Sequence, residues 1–132
     1  MDILLLDIDV VSFLLKGDSR ASQYASIIQG KRLALSFMTV AELFQWAAVR
    51  NWGEKRVASL EHSLIKYLII PNDIEVCRIW GNLRAERQAI GKVISPQDAW
   101  IAATALRHNL PLVTNNAKDF QNIKKLQVIT IQ

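Results

Sequence analysis

The stretch from Ser95 to Phe120, SPQDAWIAATALRHNLPLVTNNAKDF, constrains the fold of this chain more than any other. Ser95 offers a side-chain oxygen for a helix N-cap. Pro96 follows at the first helical position, where a missing N–H costs nothing. Asp98 then falls on the first turn. The run AWIAATALRH is almost wholly apolar or small, so this helix is expected to be buried on most sides. Asn109 supplies the stop, and LPLVT reads as a short strand. Thr114, Asn115 and Asn116 close that strand with polar groups. Asp119, three residues after Asn116, marks a second helix start. A buried helix, a short apolar strand and acids near element ends describe an α/β active-site module. In such modules ligands bind at the carboxyl ends of strands.

The rest of the chain repeats the alternation. Ile3 to Leu6 is a continuous apolar run ending at Asp7, as suits a central parallel strand buried on both faces. VVSFLLKGD reads as a short helix stopped by Gly17, and Ser19 to Gln29 as another, stopped by Gly30. Leu33 to Ser36 is a second strand. Thr39 to Arg50 is helical in pattern, with Thr39 as N-cap and Glu42 three residues on. Glu54 to Leu68 is a longer amphipathic helix, Leu68 to Pro71 a third strand, and Asp73 starts a helix running to about Ile90. Val128 to Ile131 closes the chain as a last strand. Strands alternating with helices predict an α/β fold with a mainly parallel sheet of four to five short strands. Neither a repeat nor a linker interrupts residues 1–132, so one domain is expected.

Composition excludes several chemistries. The single cysteine, Cys77, cannot build an internal disulfide framework or a cysteine zinc site, and a reducing cytoplasm is the expected setting. Cys77 lies in IEVCRIW, an amphipathic helical pattern that predicts a packed thiol. There is no signal-peptide pattern, and no apolar run approaches the roughly 18 residues of a membrane helix. No Gly-rich phosphate loop is present, and His62 and His108 lack metalloprotease spacing. His108, in a helix's last turn, suits a dipole partner better than a base. The net charge of +4 is compatible with a polyanionic partner without establishing one.

The acids at element ends remain. Glu42, Asp98 and Asp119 each follow a possible N-cap by three residues, so each has a plain capping-box explanation. Asp7 lacks one. A carboxylate closing an apolar central strand is expensive to bury without a partner or a cation. Oxygen-only ligands suit Mg2+ or Mn2+ rather than zinc. Whether the acids converge is a tertiary question.

Four segments in order, LLLDIDVVSFLLKGD, SFMTVAELFQWA, SPQDAWIAATALRHNLPLVTNNAKDF and LQVITIQ, resemble the PIN-domain ribonucleases, and within them the VapC-type toxins of bacterial toxin–antitoxin pairs. The resemblance spans nearly the whole chain and implies a three-layer α/β/α fold. It implies Asp7, Glu42 and Asp98 as metal-binding acids, with Asp119 as a fourth acidic position that Asn116 supports or replaces. Thr39 matches a hydroxyl that orients a ligand besides capping its helix. Asp9 departs from the family's usual asparagine, and an extra carboxylate there either binds a second cation or weakens the site by repulsion. The implied reaction is hydrolysis of RNA by metal-activated water, with Mg2+, or Mn2+ in its place. The implied partners are RNA, a cognate antitoxin and a second copy of the chain, with no membrane. The helices carrying Phe44, Trp46, Trp52 and Trp80 would offer the antitoxin apolar surface. Two other readings stand beside this one. The first is a PIN-like module that binds RNA or antitoxin with little or no catalysis. The second is a phosphoacceptor domain, which the lack of a mid-chain strand-end aspartate disfavours.

Overall fold

The computed structural model describes residues 2–131. Five strands, β1 (Ile3–Leu6), β2 (Arg32–Ser36), β3 (Leu68–Ile70), β4 (Leu112–Val113) and β5 (Val128–Ile129), form one sheet in the order β3-β2-β1-β4-β5. Every pairing is parallel. The helices are α1 (Ile8–Lys16), α2 (Ser19–Gln23), α3 (Ala25–Ile28), α4 (Phe37–Val49), α5 (Glu54–Leu64), α6 (Ile74–Ala89) and α7 (Pro96–His108). A 3-10 turn covers Ala117–Phe120. Among the described residues no helix is long and apolar enough to cross a membrane.

The apolar run of β1 is explained by its two buried faces. Leu4 and Leu6 join a core with Val10, Tyr24, Leu35, Leu43, Leu60 and Val113. Leu5 points the other way, into a core with Ala34, Leu83, Ile101, Ala102, Leu112 and Phe120. Successive side chains of a strand alternate faces, so one short run feeds both layers of the α/β/α sandwich.

Local signals set most helix ends. Ser95 Oγ accepts the Asp98 N–H and Pro96 opens α7, as the sequence predicts. Gly17 and Asn109 close α1 and α7 in the left-handed region, at φ 64° and 58°. Two expectations need correction. The helix expected over Ser19–Gln29 is two short pieces, α2 and α3, parted at Tyr24, whose ring is fully buried. Helix α4 starts at Phe37, directly after β2, and its N-cap is Ser36 rather than Thr39. Ser36 Oγ accepts the Thr39 N–H at 3.1 Å, so the strand's last residue already serves as the cap.

Cys77 also departs from expectation. Its thiol is exposed on α6 and donates weakly to Asn72 Oδ1, at 3.8 Å. The apolar face of this helix is carried by Val76 and Leu83, and residue 77 lies about 100° round the helix from Val76.

Candidate active site

β1 leads to β2 on one side and pairs with β4 on the other, so the chain reverses its winding direction between β1 and β4. In parallel sheets the crevice at such a reversal, outside the carboxyl ends of the strands, is where ligands bind. Asp7 follows β1 directly, and its backbone N–H bonds the Val113 carbonyl of β4 at 2.9 Å. Glu42 stands on α4, which leaves the same edge after β2, and Asp98 on the first turn of α7.

Asp7 is 4% exposed. Its Oδ1 accepts the Ile8 N–H at 2.8 Å and its Oδ2 accepts the Thr114 hydroxyl at 2.7 Å. Burial, then the neighbouring Asp9 carboxylate, push its carboxyl up to about 7. The two hydrogen bonds pull the other way without offsetting the loss of solvent, and Asp98 adds further repulsion.

The other acids feel one another as well. Burial raises the Asp98 carboxyl, with Asp119 and Asp9 adding repulsion against the downward pull of Ser95. Burial raises Glu42, followed by repulsion from Asp98. Burial raises Asp9, against hydrogen bonds from the backbone of Val10 and Asn115. Among the described residues no basic side chain makes an ion pair with any of these five acids. Glu42 Oε1 is shielded from solvent and has no hydrogen-bond partner. A buried acceptor left unpaired costs about 1–3 kcal/mol, more when it is charged.

This donor set fits a hard divalent cation: oxygen ligands, an orphaned buried oxygen, and carboxyls raised by burial and by one another's charge. Among the described residues no three acids close into a metal cage as they stand.

Sequence spacing misjudged two of the capping explanations. Thr39 is buried inside α4 and its hydroxyl lies 3.3 Å from Ser36 Oγ, so Glu42 belongs to no capping box. Asn116 makes no side-chain cap for the 3-10 turn. Its Nδ2 instead donates to Asp9 Oδ2 at 3.1 Å, leaving exposed Asp119 near Asp98. Thr114, expected only to close a strand, is the group that orients Asp7. Its signal was a lone hydroxyl at the carboxyl end of an apolar strand.

The aromatic residues divide between the two faces of the sheet. Trp46 and Trp52 line a groove between α1, α4 and α5 together with Lys16, Arg50 and Arg56. The Arg56 guanidinium sits 4.0 Å from the Trp52 ring centre. Trp80 is not part of this surface. It stacks on Trp100 at 4.6 Å, across α6 and α7, where its indole N–H donates to the Pro96 carbonyl.

The sequence model of the PIN domain matches residues 4–126. Ribonuclease VapC1 of Haemophilus influenzae strain R2866 is 29% identical over 127 residues, covering 95% of each chain. The structure of VapBC2 from Rickettsia felis bound to a promoter DNA fragment matches 98% of this chain and 99% of that one, with a TM-score of 0.85 at 25% identity. A toxin–antitoxin complex from Klebsiella pneumoniae matches 96% of each chain, with a TM-score of 0.73 at 28% identity.

Proposed function

The chain belongs to the PIN-domain family, and from that premise we propose that it is a metal-dependent endoribonuclease, the toxin of a toxin–antitoxin pair acting in the cytoplasm. The observation that carries this reading is the shared field of Asp7, Glu42, Asp98 and Asp119 at the carboxyl edge of a parallel sheet, with Glu42 Oε1 buried and unpaired. Relatives called ribonucleases, and a structural neighbour described as a toxin–antitoxin complex, support it.

Asp7, Glu42 and Asp98 would hold Mg2+, with Mn2+ as a substitute, and Asp119 would complete the set. Bound there, the cation supplies charge neutralisation for a phosphodiester and a lower pKa for water. The chain does the rest. Thr114 and the Ile8 N–H aim the Asp7 oxygens. Burial removes competing solvent. Surplus lysine and arginine draw in the RNA backbone that the acids alone would repel.

The Trp46–Trp52 groove with its three basic residues suits a partner segment carrying apolar and acidic side chains, the expected antitoxin. Exposed Ile69 on the edge strand β3, with exposed Ile65 and Ile74 on either side of it in the chain, supports pairing with a second copy.

The test is RNA cleavage by purified, antitoxin-free protein with Mg2+, Mn2+ or EDTA, beside Asp98→Asn checked by circular dichroism. We expect cleavage that needs the metal. In the folded variant it should fall more than about 100-fold, beyond what losing an outer-sphere partner costs. Cleavage that survives both EDTA and the substitution would refute the assignment. A folded wild type that cuts nothing across a broad RNA panel would favour a binding module instead.

A further inference from the structure

Asp9 is the one acid of the site whose two oxygens are both hydrogen-bonded to N–H groups. Oδ1 accepts the Val10 N–H at 2.7 Å. Oδ2 accepts the Asn115 N–H at 3.0 Å and Asn116 Nδ2 at 3.1 Å. A carboxylate has about four acceptor sites, so most of this one's capacity is used inside the protein. Glu42 Oε1 in the same crevice has no donor at all. A cation approaching Asp9 would meet the positive ends of N–H dipoles, whereas at Glu42 it meets a bare oxygen.

The bonds from Asp9 to Asn115 and Asn116 span more than a hundred residues of chain and join the exits of β1 and β4. The turn they hold is fixed from other sides too. The Tyr24 hydroxyl donates to Asn115 Oδ1 at 2.8 Å. Thr114 Oγ1 accepts the Asn116 N–H at 3.0 Å while donating to Asp7. The Asn116 carbonyl then accepts the Asp119 N–H at 3.0 Å, and the next residue, Phe120, is 2% exposed in the core. Asp119 therefore sits between a hydrogen-bonded turn and a buried ring.

The geometry points to Asp9 as a positioning residue: it latches the Thr114–Asn116 turn, and with it the Asp7 and Asp119 carboxylates, rather than ligating a metal. The latch itself stands on the hydrogen bonds, and its effect on cleavage rests on the nuclease reading above. An asparagine at this position offers one acceptor oxygen and one donor nitrogen. It satisfies either Val10 or the turn in full, but not both.

The test compares Asp9→Asn, Asp9→Ala and Asn116→Ala with wild type. Its readouts are Asn115 amide exchange by NMR without metal, Mn2+ affinity by calorimetry, and kcat and KM for RNA. A hydrogen bond to a charged acceptor corresponds to a factor of about 10–100. Asp9→Ala should speed Asn115 exchange and lower kcat by about that factor, with KM nearly unchanged. Asp9→Asn, which keeps an acceptor, should fall between. Mn2+ affinity should drop by no more than about tenfold, as for an outer partner.

Loss of Mn2+ binding by more than about 100-fold in both Asp9 variants, with Asn115 exchange unmoved, would make Asp9 a ligand and overturn the proposal. Asn116 is exposed, so Asn116→Ala should fold even where Asp9→Ala does not. An unaltered kcat in that variant would also overturn the proposal. If wild type fails to cut RNA the nuclease reading falls, and Asn115 exchange still decides the latch.

Discussion

Replacing Asp7 by asparagine should abolish cleavage and, without metal, stabilise the protein. The Asp7 carboxyl is pushed up to about 7 in the folded chain, from an ordinary 3.8. The folded state thus holds its proton more tightly than the unfolded state. Stability from this group is full below pH about 4 and is lost as pH rises through about 7. Integrating the linkage relation between pH 5 and pH 8 gives a loss of about 2–3 kcal/mol from Asp7 alone. Asparagine has nearly the same shape as the protonated acid. Its carbonyl oxygen can accept the Ile8 N–H and its amide can donate to Thr114 Oγ1, whose own proton must then turn away from residue 7, and it never ionises. Urea unfolding in EDTA at several pH values reads the difference directly, because the raised carboxyls of Asp9, Glu42 and Asp98 are common to both proteins. Asp7→Asn should overtake wild type as pH rises, the gap widening by about 2–3 kcal/mol from pH 5 to pH 8. A gap that does not change with pH would mean that Asp7 carries no such burden, and the physical case for a cation beside it would fail.

Three further outcomes follow from the same structure. Mg2+ should reverse the cost in wild type, adding about 2.7 kcal/mol at roughly 100 times its Kd, and should add much less in Asp7→Asn; equal gains in a thermal melt would place the ion elsewhere. Ser36→Ala should destabilise the fold by about 1 kcal/mol through loss of the α4 cap, while Thr39→Ser should keep the cap; the opposite ranking in urea midpoints would return the cap to Thr39. Cys77 should react with a thiol reagent in the folded protein at nearly the rate of a free thiol, and strong protection would contradict its exposed position on α6.

Much of the fold is written locally. Ile3 to Leu6 has to be a strand buried on both faces, because four large apolar residues in succession leave no face for water. Ser95, Pro96 and Asn109 bound α7 by satisfying or removing backbone groups at its ends, which needs no knowledge of distant residues. Asp7 is suspect from sequence alone, since a carboxylate at the end of such a strand carries a desolvation cost. Tertiary structure decided the matters that depend on pairs far apart in the chain. Ser36 displaces Thr39 as cap because β2 extends up to the first turn of α4, and strand length is set by pairing with β1 and β3. Asn116, in a plausible capping position, turns instead toward Asp9, because parallel pairing of β1 with β4 brings their carboxyl ends together. The same pairing joins Asp7 to Thr114 across more than a hundred residues. Electrostatic strain is likewise a property of the folded molecule: isolated carboxylates in water are ordinary acids, and only burial beside one another raises them.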